Sequence, residues 1–206
     1  DMGGEELVFD VRHLTVRFAG RTAVEDISLP VPHAGVTVLV GRSGSGKSTL
    51  LSLIQRHFDV SEGDIRFHDI PLTKLQLDSW RSRLAVVSQT PFLFSDTVAN
   101  NIALGCPNAT QQEIEHVARL ASVHDDILRL PQGYDTEVGE RGVMLSGGQK
   151  QRISIARALL VNAEILILDD ALSAVDGRTE HQILHNLRQW GQGRTVIISA
   201  HRLSAL

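Results

Sequence analysis

A glycine-rich stretch between Gly41 and Ser48 has the residue types and the spacing of a polyphosphate site. Its sequence fits the pattern G-x-x-x-x-G-K-[ST], and it lies between an apolar run at 36–40 and a segment of helical character. Glycines let backbone N–H groups curl around phosphates, and the N-terminus of the following helix attracts negative charge. A glycine-rich turn without a ligand is the alternative interpretation.

The side chains in this stretch suit a nucleotide with its metal ion. We expect Lys47 to bridge the β- and γ-phosphates and Ser48 to bind Mg²⁺. The predicted phosphate-binding residues are Gly41, Ser43, Gly44, Ser45, Gly46, Lys47, Ser48 and Thr49.

A single carboxylate ends the apolar run at 165–168. The run Ile-Leu-Ile-Leu is typical of a buried strand, and Asp169 follows it directly. An Asp at the end of a strand is usually a turn cap. Behind a phosphate loop, however, we predict that Asp169 holds Mg²⁺ through water.

A second anion-binding pattern occurs at 145–149, where Leu-Ser-Gly-Gly-Gln precedes a helical run over 150–160. Ser146 can cap that helix, the glycines expose N–H groups, and the helix dipole attracts negative charge. The alternative is a well-capped helix without a ligand.

Apolar runs and helical stretches alternate along most of the chain, which is typical of a parallel sheet covered by helices. The predicted strands are 36–40, 84–87, 165–168 and 195–198, and the predicted helices between them are 47–58, 75–83 and 179–190. Residues 7–18 and 22–31 instead alternate apolar and polar side chains around Ala19 and Gly20, which predicts an antiparallel edge layer.

The strand pattern stops between Thr90 and about Asn162. Helical stretches at 97–103, 110–121 and 149–160 take its place. We therefore expect an all-helical subdomain over 90–161, inserted into a core formed by 1–89 and 162–206.

Composition limits the function classes. The chain has 206 residues and a formal net charge of −4 without a basic block, which argues against a nucleic-acid partner. No apolar run approaches the roughly 20 residues of a membrane-spanning helix, and residues 1–6 lack the features of a signal peptide. Cys106 is the only cysteine, which excludes an internal disulfide and suits a reducing, cytosolic location.

The two ends of the chain differ in their β-branched residues. Residues 1–46 contain eight Val and one Ile, whereas residues 50–206 contain eleven Val and thirteen Ile. One explanation of this difference is chance variation in small residue counts. The alternative is a chain assembled from two different proteins.

The phosphate loop, the 145–149 segment and Asp169, in that order and with the second motif 24 positions before Asp169, closely resemble the ATP-binding-cassette (ABC) ATPases. The resemblance covers nearly the whole chain and implies a P-loop NTPase core of RecA-like type that uses ATP and Mg²⁺. It also implies that the family signature contacts the γ-phosphate of nucleotide bound to the opposite subunit of a head-to-tail dimer. The signature residues are Leu145, Ser146, Gly147, Gly148 and Gln149.

The same resemblance assigns roles to residues around the apolar strands. Gln89 matches the glutamine that senses Mg²⁺ and the attacking water, and His201 matches the switch histidine. Ser173 and Asp176 belong to a stretch that matches the loop crossing the dimer interface.

Two further segments narrow the resemblance. Residues 87–94 and 138–142 are similar to those of exporter-type cassettes, in which both face the transmembrane domains. An apolar Pro91-Phe92-Leu93-Phe94 run in a polar loop favours a docking surface, and ordinary loop packing is the alternative.

The resemblance implies an ATPase at the cytoplasmic side of the inner membrane, held there by transmembrane domains outside this chain. Residues 50–206 resemble one exporter of the family closely and residues 1–49 do not, which agrees with the Val/Ile shift.

The chain departs from the family pattern at three places. The usual general base is a Glu, but Asp170 stands there and is one methylene shorter, so we expect ATP binding with slow hydrolysis. Phe18 replaces a Tyr that often stacks on adenine, with a strand-edge core residue as the alternative role. The strands and helix that follow His201 in the family are expected to be absent from this sequence.

These features predict the nucleotide-binding domain of an exporter. The intact signature combined with Asp170 predicts one half of an asymmetric heterodimer. Two alternatives remain open: a soluble ABC ATPase without a transport role, and an engineered or chimeric cassette with little activity.

Overall fold

Ten strands form the β-structure of the residues that the structure, a computed structural model, describes: 7–32, 34–41 and 45–201. The strands are β1 (Leu7–Phe18), β2 (Arg21–Pro32), β3 (Gly35–Val40), β4 (Glu62–Phe67), β5 (Ile70–Pro71), β6 (Leu84–Val87), β7 (Asp96–Thr97), β8 (Glu137–Val138), β9 (Ile165–Asp169) and β10 (Thr195–Ala200). They form an antiparallel sheet of order β2-β1-β4-β5, a parallel sheet of order β3-β10-β9-β6, and an antiparallel ladder of β7 and β8.

Seven α-helices lie between these strands in the described part of the chain. They are α1 (Lys47–Ile54), α2 (Leu77–Arg81), α3 (Val98–Ile102), α4 (Gln111–Leu120), α5 (His124–Leu128), α6 (Gly147–Val161) and α7 (Gly177–Trp190), with short 3-10 turns at Leu72–Lys74 and Gly133–Asp135. None of the helices within those ranges combines the length and the apolar composition needed to span a bilayer.

The two faces of the parallel sheet pack against different layers. Side chains alternate between faces along a strand, so Ile165 and Ile167 of β9 lie in one buried cluster and Leu166 and Leu168 in the other. The first cluster joins the antiparallel sheet and α1 to the parallel sheet. The second joins α3, α4, α6 and α7 to the opposite face. Helices and a second sheet thus cover both faces, which accounts for the uninterrupted apolar strands.

The register of the parallel sheet brings the carboxyl ends of its strands to one edge. Asp169 of β9 is paired with Ser199 of β10, and Val40 of β3 is paired with Ala200. Val87 of β6 is paired with Leu168. The segments that follow these strands therefore meet at the same edge, where ligands bind in open α/β sheets.

The predicted parallel sheet and antiparallel layer are both present. The helices differ at their ends: α1 stops at Ile54 rather than at residue 58, because Arg56 adopts a left-handed conformation with φ of 58°. Helix α2 begins at Leu77 because the side chain of Gln76 accepts a hydrogen bond from the Ser79 N–H at 2.8 Å.

The region between β6 and β9 is mainly helical, with one correction to the all-helical expectation. β7 and β8 form a ladder there, and each strand has only two residues, too few to produce an alternating pattern. The division into a core of 1–89 and 162–206 and a helical subdomain of 90–161 stays a prediction, since one buried cluster runs from α3, α4 and α6 into the parallel sheet.

Candidate functional site

The end of the glycine-rich loop is built for close packing against the hairpin of β1 and β2. Gly46 precedes α1 with φ of 91°, and a Cβ there would lie 2.9 Å from Val24 Cγ2 and 3.1 Å from the Ala23 carbonyl oxygen. Both the conformation and the space require glycine at this position. The predicted residues Ser43 and Gly44 lie outside the described residues.

Lys47 reaches back over the loop from the first position of α1. Its Nζ donates to the Gly41 carbonyl oxygen and, at 3.1 Å, to Ser45 Oγ. The ammonium group is therefore held over the loop that precedes the helix. An ammonium held beside a helix N-terminus is suited to bind a polyphosphate. Thr49 lies one residue beyond Ser48, in the same turn of the helix.

Hard oxygen atoms suited to Mg²⁺ lie next to this helix. Ser48 Oγ donates to Asp169 Oδ1 at 3.2 Å, and Ser199 Oγ donates to the same atom at 2.8 Å. A hydroxyl and a carboxylate are ligands that Mg²⁺ prefers, usually together with water and substrate phosphates. The residues present therefore fit the metal that the sequence predicts. Ser199, which sequence reasoning missed, fixes the rotamer of that carboxylate.

Asp170 adopts an unusual conformation beside the metal ligands. Its φ is 54°, and its N–H donates to the Ser199 carbonyl oxygen at 2.9 Å. Its Oδ2 is buried and has no hydrogen-bond partner among the residues that the structure describes, and His201 Nε2 approaches it to 3.3 Å without hydrogen-bond geometry. The His201 ring is half exposed. A buried carboxylate oxygen without a hydrogen bond is costly for stability, and the role of Asp170 as general base stays a prediction.

A cavity of about 320 Å³ brings all of the predicted catalytic and metal residues together. Its size falls in the range of small-molecule sites. The lining residues are Lys47, Ser48, Ser88, Gln89, Thr90, Asp169, Asp170, Ser199 and His201. Residues from four separate chain segments thus surround one space at the carboxyl edge of the parallel sheet.

The 145–149 segment forms the start of α6, away from this cavity. Ser146 Oγ accepts from the Gln149 N–H at 3.1 Å, and Gln149 Oε1 accepts from the Ser146 N–H at 2.9 Å. This reciprocal pair is a capping box. Leu145 and Gly148 are buried, whereas Ser146 and Gly147 are exposed, and none of the described residues of the cavity lining comes from this segment. The N-terminus of α6 is thus exposed, and its contact with nucleotide of another subunit stays a prediction.

Ser173 and Asp176 flank an exposed loop between β9 and α7. Asp176 caps α7, with Oδ1 accepting from the Thr179 N–H and Oδ2 from the Thr179 hydroxyl, both at 2.9 Å. These hydrogen bonds, the backbone one first, lower the pKa of the Asp176 carboxyl. Ser173 Oγ accepts from Gln151 Nε2 at 2.9 Å. The loop is therefore fixed at both ends while its surface stays exposed.

Phe18 lies at the end of β1 and is 44% exposed. Its ring packs edge-on against Phe58 with centroids 4.9 Å apart. Phe18 does not belong to the described lining of the cavity, so its contact with adenine stays a prediction.

The two exporter-like segments, 87–94 and 138–142, lie close together, because β7 begins two residues after the first segment and pairs with β8, which contains Val138 of the second. The rings of Phe92 and Phe94 are 65% and 45% exposed and pack edge-on at 4.7 Å. The backbone of this run is fixed by two residues that sequence reasoning missed. Asn101 pairs with both the N–H and the carbonyl of Phe94, at 2.9 and 3.0 Å, and Arg157 donates to the Phe92 carbonyl oxygen at 3.0 Å. A rigid backbone thus presents two aromatic rings to solvent.

A groove of about 420 Å³ lies next to these rings. It is lined by Leu84, Ala85, Val86, Val87, Ser88, Thr90, Pro91, Phe92, Leu104, Gly105, Ser154, Arg157, Ala158 and Val161. The groove follows the outer edge of β6 and continues the exposed apolar surface of the Phe92 ring. Large exposed apolar patches often mark interaction sites, and the docking surface expected for the Pro91-Phe92-Leu93-Phe94 run stays a prediction.

Comparisons with known proteins agree with this geometry. Residues 24–173 match a family model described as ABC transporter. The multidrug resistance-like ATP-binding protein MdlA of Escherichia coli is 83% identical over 204 residues, which cover 99% of this chain and 35% of that protein. The ATP-dependent lipid A-core flippase of Legionella pneumophila is 48% identical, over 91% of this chain and 32% of that protein.

A solved structure of a bacterial Atm1-family ABC exporter with ATP bound superimposes with a TM-score of 0.87 and 42% sequence identity, over 95% of this chain and 35% of that chain. The fold is therefore the expected P-loop NTPase core with an antiparallel layer. The chain spans about a third of the length of the relatives it matches. A separate origin for residues 1–49 stays a prediction, because an identity averaged over the whole chain does not separate the two stretches.

Proposed function

The chain belongs to the ABC transporter family, and we propose that it is the nucleotide-binding domain of an exporter, which binds ATP with Mg²⁺ and hydrolyses it slowly. One observation carries the proposal. The cavity at the carboxyl edge of the parallel sheet gathers a lysine, a hydroxyl, a glutamine, two adjacent carboxylates and a histidine from four chain segments. This set matches the parts needed for phosphoryl transfer to water.

Each side chain has a role that follows from its position. Lys47 donates hydrogen bonds to the β- and γ-phosphates, and Ser48 and Asp169 hold the metal. Mg²⁺, when bound, neutralises charge that develops on the phosphate oxygens. Gln89 orients the attacking water, and His201 contacts the γ-phosphate.

Asp170 accepts the proton of the attacking water in this proposal. Its Oδ2 is free of hydrogen bonds within the described residues, as a general base requires before substrate binds. The carboxylate is one methylene shorter than the Glu of the family pattern, so it holds water in a poorer position. Binding is therefore retained while hydrolysis is slow.

The signature segment acts on a second subunit. The exposed N-terminus of α6, at Ser146 and Gly147, lies outside the cavity of this chain, so a nucleotide that contacts both regions must lie between two cassettes. A head-to-tail arrangement places the signature of each subunit on the phosphates of the other. In this dimer, the nucleotide site that contains Asp170 hydrolyses ATP slowly, whereas the second site is complete. The dimer is therefore an asymmetric heterodimer.

Docking to transmembrane domains uses the Phe92 and Phe94 rings and the groove along β6. The apolar rings and the apolar groove suit a partner surface that is itself apolar. The backbone at Phe92 and Phe94 is held by hydrogen bonds to Arg157 and Asn101, so a movement of this domain is passed on to the partner. The domain is thereby held at the cytoplasmic side of the inner membrane, where closure of the cassettes on ATP drives export.

Nucleotide-dependent association tests this proposal. Sedimentation velocity of this chain with its partner cassette should show a dimer with MgATP and separate subunits without it. Gly147→Arg should abolish association, because the added side chain fills the exposed phosphate position, while its Cβ meets only Ala174 Cβ at 3.4 Å. Gly148 is a poorer choice, since a Cβ there would lie 2.7 Å from the Ala174 carbonyl oxygen and disturb the chain itself. A dimer that forms equally well without nucleotide, or with Gly147→Arg, would contradict the proposal.

A further inference from the structure

Gln151, in the second turn of α6, is a buried amide with three hydrogen bonds to two separate loops. It is 2% exposed. Its Nε2 donates to the Gln89 carbonyl oxygen at 3.0 Å and to Ser173 Oγ at 2.9 Å. Its Oε1 accepts from the Ala174 N–H at 2.9 Å. Both donor hydrogens and one acceptor position of the amide are therefore used.

These bonds join three separate parts of the chain. Gln89 lines the cavity, Ser173 and Ala174 form the exposed loop before α7, and α6 begins at the signature. The contact between loop and helix is close at a second point, where a Cβ on Gly148 would lie 2.7 Å from the Ala174 carbonyl oxygen. The loop therefore packs on the first two turns of α6.

The hydrogen bonds of Gln151 favour movement of α6 and the two loops as one unit. The side chain of Gln151 donates to the backbone carbonyl oxygen of Gln89. This hydrogen bond fixes the backbone of Gln89, and that backbone sets the direction of the Gln89 side chain. Separation of α6 from either loop would leave buried amide groups without partners, which costs more than the bonds themselves contribute. A displacement of α6 is thus passed to both loops.

We propose that Gln151 is a positioning residue that couples the signature helix to Gln89 at this chain's own cavity and to the interface loop at Ser173 and Ala174. The coupling rests on the proposed function, since it is engagement of the signature by the partner's nucleotide that displaces α6. Gln151 itself touches neither nucleotide nor metal.

Hydrogen exchange tests the link without nucleotide. In the assembled transporter, Gln151→Met keeps the volume of the side chain and removes all three bonds. Exchange of the Ala174 amide should accelerate by about 2- to 12-fold, which corresponds to one net hydrogen bond. The matched control is Gln111→Met on α4, whose exposed side chain donates only to Glu115 Oε1 at 3.4 Å. That control should leave exchange and turnover unchanged.

Turnover separates positioning from a merely structural role. Gln151→Met should lower kcat for ATP at least about 10-fold while KM stays within about twofold, because phosphate binding does not use Gln151. Ser173→Ala removes one of the three bonds at an exposed position and should lower kcat by a smaller factor, about 2- to 10-fold.

The outcomes are distinct. Ala174 exchange and kcat both within twofold of the parent would overturn the inference, and so would equal losses of kcat and ATP affinity, which indicate a damaged fold. If Gln151→Met does not assemble, Ser173→Ala decides by turnover, because it removes the Ser173 bond and keeps the Ala174 bond, and a kcat within twofold of the parent would then overturn the inference. A parent transporter that neither binds nor hydrolyses ATP would refute the proposed function instead, whereas the exchange experiment would still measure the link.

Discussion

Replacement of Asp170 by Glu tests the origin of slow hydrolysis. Asp170 lies at the cavity, where its buried Oδ2 has no hydrogen bond within the described part of the chain and is 3.3 Å from His201 Nε2. Glu adds one carbon–carbon bond of about 1.5 Å, which moves the carboxylate roughly 1 Å further into the space between the metal ligands and Gln89. Because a misplacement of about 1 Å can cost on the order of 100-fold, Asp170→Glu should raise kcat by about 10- to 100-fold.

The same change should affect binding and stability differently. The KM for ATP should move by less than about twofold, because the phosphates are held by other residues. The fold should lose a little stability, since φ at this position is 54° and Asp is more tolerant of that conformation than Glu. A gain in turnover with a slightly lower melting temperature would therefore distinguish improved alignment from a better fold.

The assay is ATP hydrolysis by the dimer with the partner's own site silenced, at saturating MgATP and under single-turnover conditions. Asp170→Asn, which removes the base and keeps the size, is the matched control and should lower turnover below that of the parent. A Glu variant no faster than the parent, in a dimer shown to close on ATP, would refute the reasoning and remove the main support for an asymmetric heterodimer.

Three further predictions concern an ion pair, the aromatic rings of the docking surface and Phe18. Burial alone would raise the pKa of Asp126, but the hydrogen bond and charge of Arg152 at 3.0 Å outweigh it and hold that pKa below its usual value. Asp126 therefore stabilises the fold above pH about 4 and ceases to do so as the pH falls through its lowered pKa, so the difference in unfolding free energy between parent and Asp126→Asn should shrink below pH 4 in urea titrations. The double variant Phe92→Ser and Phe94→Ser should keep ATP affinity and lose co-purification with the transmembrane domains, and intact co-purification would exclude this docking surface. Phe18→Ala should weaken ATP binding by about 5- to 10-fold if its ring stacks on adenine, whereas Phe18→Tyr should not, and equal affinities by calorimetry would exclude stacking.

The fold was predictable where the sequence pattern depends on burial alone. The strands at 84–87 and 165–169 are recognisable because both faces of the parallel sheet are covered, so every position is apolar. β4 was not predicted, because its six residues include a glycine and three charged side chains and only two of them are buried apolar residues. Helix ends depend on caps such as the Gln76 side chain, which are decided by local geometry rather than by periodicity.

The candidate site was predictable where one chain segment carries the chemistry. The 41–48 loop and the pair Asp169 and Asp170 are contiguous motifs, and the sheet register then places them together. Ser199 and Gln151 were not found, because each is an ordinary polar residue whose role depends on a partner 30 or 62 positions away. The position of Ser199 two residues before His201 was the only available signal for it.

Calorimetric titration with MgATP tests the central claim, that the cavity at the 41–48 loop is the nucleotide site, most directly. Lys47 is held on the loop by Gly41 and Ser45, and its loss removes a charge-assisted contact with the phosphates. Lys47→Ala should therefore weaken binding by about 10- to 150-fold relative to the parent. Lys74→Ala, at an exposed position of a 3-10 turn, is the matched control and should bind like the parent. Equal affinity of the parent and Lys47→Ala, or no binding by the parent, would contradict the account.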